Sequence, residues 1–207
     1  MPRTLILHPY GMDANGNPIK ELNGIFLRVT IDFMLATVAR QAAGNPPAGM
    51  KVEDAIAQAQ QQAMKRLLER VNECIPEFHH LTRESLLGLG YASYDLGTVV
   101  RDACNEIAHV PNFFFHQGYA IVQSMAYLLR AFSIRQVFNV VPRFASKFGD
   151  VDVRVMHENA SSATLRWYPD LILKHSSPET HRHVIYMTCQ TIQGSMAYIP
   201  PVVANLP

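Results

Sequence analysis

Between Val110 and Trp167 the apolar residues of this chain change their period, and that change limits what it can fold into. Phe114, Gly118, Ile121, Met125 and Leu128 recur at helical spacing behind Pro111, which suits a first turn because it needs no amide proton. The pattern predicts an apolar helix from Pro111 to Arg130. A second helix is predicted from about Ser133 to Lys147, carrying Ile134, Val137, Phe138, Val141 and Phe144, with Pro142 marking a kink or break. The period then drops to two. Val151, Val153 and Val155 alternate with Asp152, Arg154 and Met156, and Ala163, Leu165 and Trp167 alternate with Thr164, Arg166 and Tyr168. With turn-forming residues from Glu158 to Ser162 between them, these segments predict two antiparallel strands with one apolar face. Arg154 and Arg166 fall on the other face, either as a solvated surface or as an anion-binding pair.

The remaining segments supply packing for this region. Residues 1 to 24 read as irregular, with a short strand at Thr4 to His8 and a turn over Asp13 to Pro18. A helix is predicted from Asn23 or Gly24 to about Ala43, with Arg28 and Asp32 spaced to pair along it. A second runs from Val52 to about Ile75. Its narrow stripe of Ile56, Ala59, Ala63, Leu67 and Val71 would seat it on the domain or against a second copy. Thr82 caps a brief helix with Glu84 and Ser85 in its first turn, and Asp95 caps one running through Val99, Val100, Ala103, Cys104 and Ile107 to His109. A short strand at Leu171 to Lys174 precedes a last helix, started by Ser177 and Pro178 and ended near Tyr198 by Pro200 and Pro201.

Composition narrows the possible functions. At 207 residues with 48% hydrophobic and 17% charged residues, the chain can bury one sizeable core and lacks the polarity of disordered sequences. A formal net charge of +1 gives no electrostatic reason to seek nucleic acid or an anionic membrane. No stretch approaches the roughly 18 uninterrupted apolar residues of a spanning helix. Cys74, Cys104 and Cys189 lie far apart without metal-ligand spacing, which fits reduced thiols in a cytoplasmic protein. No serine elbow, phosphate loop, dinucleotide glycine pattern or HExxH is present, and no spacing of His and carboxylates favours a catalytic or metal site. The expectation is a non-enzyme.

A candidate site follows from the aromatic-rich region. If packing leaves room, Phe114, Phe115, Met125, Phe144 and Trp167 would wall an apolar pocket, with Gly118 allowing close approach by a ligand or another backbone. Tyr94, Arg101, His116 and Tyr119, with Gln123, would orient the occupant. His116 beside an apolar cavity is also a candidate haem ligand.

The order of elements resembles a family. Tyr94-Asp95-Leu96-Gly97 and a helix, Phe113-Phe114-Phe115-His116-Gln117-Gly118, two helices, the hairpin, and a last helix with Cys189-Gln190-Thr191-Ile192-Gln193-Gly194 are similar to sensory domains of the vinyl-reductase type. Those domains are related in fold to haem-nitric-oxide-binding domains and TRAPP trafficking subunits. The resemblance covers roughly residues 82 to 207, leaving residues 1 to 81 as a helical N-terminal extension of one 207-residue unit. Leu22-Asn23-Gly24-Ile25 also resembles input regions ahead of bacterial signalling outputs. The resemblance implies an α+β fold, commonly dimeric, with a small hydrophobic ligand held between helices and sheet and biasing an output such as a nucleotide cyclase or kinase. Two features are not carried over: the terminal zinc site, and the Tyr-x-Ser-x-Arg haem signature, because Tyr91-Ala92-Ser93-Tyr94-Asp95 has aspartate at the arginine position. The readings are therefore a sensory domain binding a small apolar ligand, a haem-based gas sensor, or a ligand-free dimerisation scaffold.

Overall fold

The structure, a computed structural model of the 207-residue chain, describes residues 21–75, 77, 80–131, 133, 136, 137, 139, 152–158, 163–168, 173, 178 and 181–203. It is α+β, with helices and two antiparallel two-stranded sheets among the described residues. The expected strands at Thr4 to His8 and Leu171 to Lys174, the turn at Asp13 to Pro18, most of the Ser133 to Lys147 helix and the Ser177-Pro178 start lie wholly or largely outside them.

β1 (Leu22–Asn23) leads directly into α1 (Gly24–Gly44), because the Asn23 carboxamide oxygen accepts the Ile25 amide at 2.9 Å. Leu27, Ile31, Met34 and Val38 give α1 a buried face. Thr30 and Thr37 share that face by donating their hydroxyls to the carbonyls of Phe26 and Phe33, one turn back. Arg28 does not pair with Asp32. Its guanidinium donates to the Leu87 carbonyl at 2.8 Å, a backbone acceptor brought close by tertiary packing that the helical spacing alone could not reveal.

α2 (Val52–Asn72) has Glu53 and Asp54 in its first turn and Arg70 in its last, which complements the helix dipole. Its buried stripe of Ala55, Ala63, Met64, Leu67 and Val71 is covered within the chain by α1 and by a helix described below. α3 (Arg83–Gly88) begins with a reciprocal Thr82–Ser85 capping box. β2 (Tyr91–Ala92) then pairs with β1. α4 (Tyr94–Ala108), which completes the cover over α2, is capped by the Ser93 hydroxyl, with Asp95 inside the first turn and not at the cap position expected from sequence. His109 and Asn112, both left-handed, turn the chain from α4 into α5 (Phe113–Ser124).

The apolar helix expected to reach Arg130 is interrupted. α5 ends at Ser124, Met125 leaves helical geometry with φ of −108°, and α6 (Ala126–Leu129) is a single turn. β3 (Asp152–Glu158) and β4 (Ala163–Tyr168) form the expected hairpin, pairing Val153 with Trp167, Val155 with Leu165 and Arg154 with Arg166 around an irregularity at His157. The two arginines are opposite one another, yet Arg154 is neutralised by Asp152 at 2.6 Å and stacks on Tyr168, so they do not form a free cationic pair. α7 (His181–Val203) continues through Pro200 and Pro201 to Val203 and does not stop near Tyr198.

One apolar cluster runs through α1, α2, α3, α4, α5 and α7, centred on side chains such as Leu27, Met34, Leu67, Val100, Phe113 and Met187. Each of these contributes about 1.5–3 kcal/mol by leaving water. A smaller cluster of Val122, Leu129, Val137 and Ile199 lies at the other end of α5 and α7. Where α5 crosses α7, a Cβ on Gly118 would collide with the backbone at Thr191, Gly194 and Ser195, and one on Gly194 would collide with the backbone of Phe115. The Ser195 hydroxyl donates to the Gly118 carbonyl across the contact at 3.1 Å. No described helix is long and apolar enough to cross a membrane.

Gly118→Val is expected to lower the stability in urea denaturation by at least about 1–3 kcal/mol through overpacking, whereas Gly88→Ala, which meets open space, should leave stability unchanged or raise it by up to about 1 kcal/mol. Burial also pushes the Cys104 thiol far up from its ordinary range. In the native protein iodoacetamide should therefore modify half-buried Cys74 and Cys189 and spare Cys104 until denaturant is added, as peptide mass mapping would show.

Candidate functional site

The α4 residues Tyr94, Gly97, Thr98 and Arg101 recur at positions i, i+3, i+4 and i+7, which places them along one helix face. That face opens on a cavity of about 300 Å³. Opposite it, α7 presents Val184, Thr188, Thr191, Ile192 and Ser195 at the same kind of spacing. Ile121, Val122 and Met125 contribute from α5 and its C-terminal end, and Leu22 and Phe26 from β1 and α1. The fourth wall is the hairpin, whose inward period-two face supplies Val153, Leu165 and Trp167. A second depression beside α2 is open to solvent and bordered by Lys65, Glu69, Glu73 and Arg83, so it offers a charged surface and no enclosed space.

Arg101 is the principal charged feature of the cavity wall and is only 6% exposed. Its Nε donates to Gln117 Oε1 at 3.2 Å, and its Nη2 donates to the Met187 carbonyl at 3.0 Å and to Thr191 Oγ1 at 2.6 Å. The guanidinium also lies 5.4 Å from the ring centre of Phe26 and 5.2 Å from that of Phe114, within cation–π range. Gln117, itself fully buried, passes the network on by donating to Thr30 Oγ1. One side chain thereby connects α4 to α5 and α7, and through Gln117 to α1.

No carboxylate among the described residues forms an ion pair with Arg101, and Nη1 makes no hydrogen bond among them. Burial drives the guanidinium down to about 10, partly offset by neighbouring Asp102, so it remains a cation near neutral pH. Asp102 is itself engaged by His183 Nε2 at 2.7 Å. The indole Nε1 of Trp167 is buried and has no acceptor among the described residues.

The structure gathers four of the sequence-nominated residues, Tyr94, Arg101, Met125 and Trp167, around this cavity. It does not bring in the others. Phe114 offers its ring face to Arg101 and meets Phe113, His183 and Tyr186 edge to face. Phe115 and Tyr119 pack on Tyr198 of α7, and Gly118 is taken up by the helix crossing. His116 is half-buried against the edge of Phe115, and Phe144 lies outside the described residues. Gln123 donates to the Tyr119 hydroxyl on the exposed side. The reason is rotational: α5 turns its aromatic side towards α7 and α1 and gives the cavity Ile121 and Val122. The α7 contribution was not nominated from sequence, although Thr188, Thr191 and Ser195 fall along one face of that helix as small polar residues of the kind a cavity or a close crossing selects.

No histidine lines the cavity among the described residues, so none of them is placed there as a haem ligand. Nor does any group of three His, Cys, Asp or Glu among them make a metal site. Comparison with protein-family models, with curated proteins and with solved structures gave no match.

Gln117→Leu removes an acceptor from Arg101 and a donor from Thr30, both buried. It should cost about 1–3 kcal/mol in chemical denaturation, while Gln123→Leu, on the exposed side of the same helix, should stay within about 0.5 kcal/mol.

Proposed function

We propose that this chain is a sensory domain that takes one small hydrophobic molecule into the cavity between α4, α5, α7 and the β3–β4 hairpin, and so biases an attached or associated signalling output such as a nucleotide cyclase or kinase. The cavity is the observation that supports this reading. Protein interiors pack with few voids larger than a water molecule, and a space of about 300 Å³ walled mainly by apolar side chains suits an apolar occupant. At roughly 30 Å³ per water-sized group, it holds an occupant of about ten non-hydrogen atoms. Its walls are mainly aliphatic and aromatic, which disfavours water as that occupant.

The walls come from elements far apart in sequence, so an occupant touches α4, α7 and the hairpin together. A ligand that contacts two arrangements of such elements differently shifts their populations without any chemistry. A ligand-free scaffold would call for a filled core, and the cavity favours binding over that alternative.

Trp167, the chain's single tryptophan, lines the cavity and reports on it directly. Titration with octan-1-ol should change its emission saturably. Thr188→Phe, which places a ring in the cavity from α7, should weaken that response at least about tenfold, the equivalent of 1.4 kcal/mol of lost contacts, while leaving the protein folded by circular dichroism. A wild-type protein that shows no saturable response, and no extra mass in native mass spectrometry that disappears on denaturation, would overturn the proposal.

A further inference from the structure

We infer that the occupant of this cavity is a hydrophobic monocarboxylate, its carboxylate held by Arg101. The inference rests on the cavity-binding proposal and names the chemical class of ligand. It follows from a count of donors and acceptors. The cavity is lined by Arg101, whose Nη1 makes no hydrogen bond among the described residues. It carries no aspartate or glutamate among the described residues. The hydroxyls of Thr98 and Thr191 already donate, to the Tyr94 carbonyl at 2.9 Å and the Met187 carbonyl at 2.9 Å. The wall thus has a surplus donor, surplus positive charge and a large apolar area.

Each class of occupant meets that surplus differently. A hydrocarbon leaves the cation without a counterion, a costly arrangement in a low-dielectric interior. An alcohol oxygen can accept from the guanidinium but brings no charge, and its own hydroxyl needs an acceptor. An amine places a second cation beside the first. A phosphate monoester brings up to two negative charges against one buried cation. A monocarboxylate matches the single charge, and its oxygens accept from guanidinium N–H groups in charge-assisted hydrogen bonds. With about ten non-hydrogen atoms to accommodate, a linear acid of about eight carbons fills the space.

Arg101 also has a structural role, tying α4 to α5 and α7, so the deciding experiment must read something that tie would not change. Octanoate, octan-1-ol and octylamine share one alkyl chain and differ in the head. Titrated into the wild-type protein and followed by Trp167 emission, octanoate should bind about ten- to a hundredfold more tightly than octan-1-ol, the advantage expected of charge-assisted hydrogen bonds, and octylamine should bind most weakly. Arg101→Met should erase the preference for the acid while retaining binding of the alcohol. Equal or tighter binding of octan-1-ol by the wild-type protein would overturn the carboxylate assignment and leave the cavity reading standing. Failure of all three probes to bind would overturn both. Should Arg101→Met fail to fold, the ranking of the three heads by the wild-type protein decides the matter alone.

Discussion

The burial of Arg101 is the constraint on which the rest of the structure turns. Taking a guanidinium out of water costs several kcal/mol even after relaxation. It is tolerated here because two helices supply oxygen acceptors and two aromatic rings supply their faces. Each compensation fixes a position: the Met187 carbonyl and Thr191 hydroxyl locate α7, Gln117 locates α5, and the Gln117 bond to Thr30 extends the frame to α1. The cavity therefore has a defined shape on its helical sides, because the side chain that charges it also holds its walls apart.

The glycine crossing complements this frame. Gly118 and Gly194 let α5 and α7 approach backbone to backbone, which carries the α7 face bearing Thr191 close to Gln117. Past the crossing, the break at Met125 ends α5, and the second apolar cluster of Val122, Leu129, Val137 and Ile199 closes that end of the cavity. The close contact and the void lie on the same two helices. Small residues bring them together at one level, and side chains of modest size leave room at the next.

Local chemistry made much of the fold legible in the sequence. Asn23 and Thr82 mark helix starts because their side chains satisfy amides within the first turn, and the inward face of the hairpin follows from alternation, whereas the irregularity between Val155 and His157 does not. Non-local competition hid the rest. Arg28 could not be seen to prefer the Leu87 carbonyl, nor Ser93 to displace Asp95 as a cap. For the site, Tyr94 and Arg101 were legible as polar residues near an apolar region, and Trp167 as the inward end of a strand. The three consecutive phenylalanines drew attention to the wrong face of α5. Composition marks an element as buried without saying whether it faces a neighbouring helix or a void.

The hairpin differs in kind from the other walls. Two paired strands are marginally stable on their own, and β3 and β4 pair only with each other among the described residues. Trp167 packs against the main apolar cluster, while Val153 and Leu165 face the helices across the cavity. An occupant would act as a keystone, supplying the contacts that this wall lacks while the helical frame stays where Arg101 holds it. The element with the least support of its own is then the one whose order depends most on what the cavity contains.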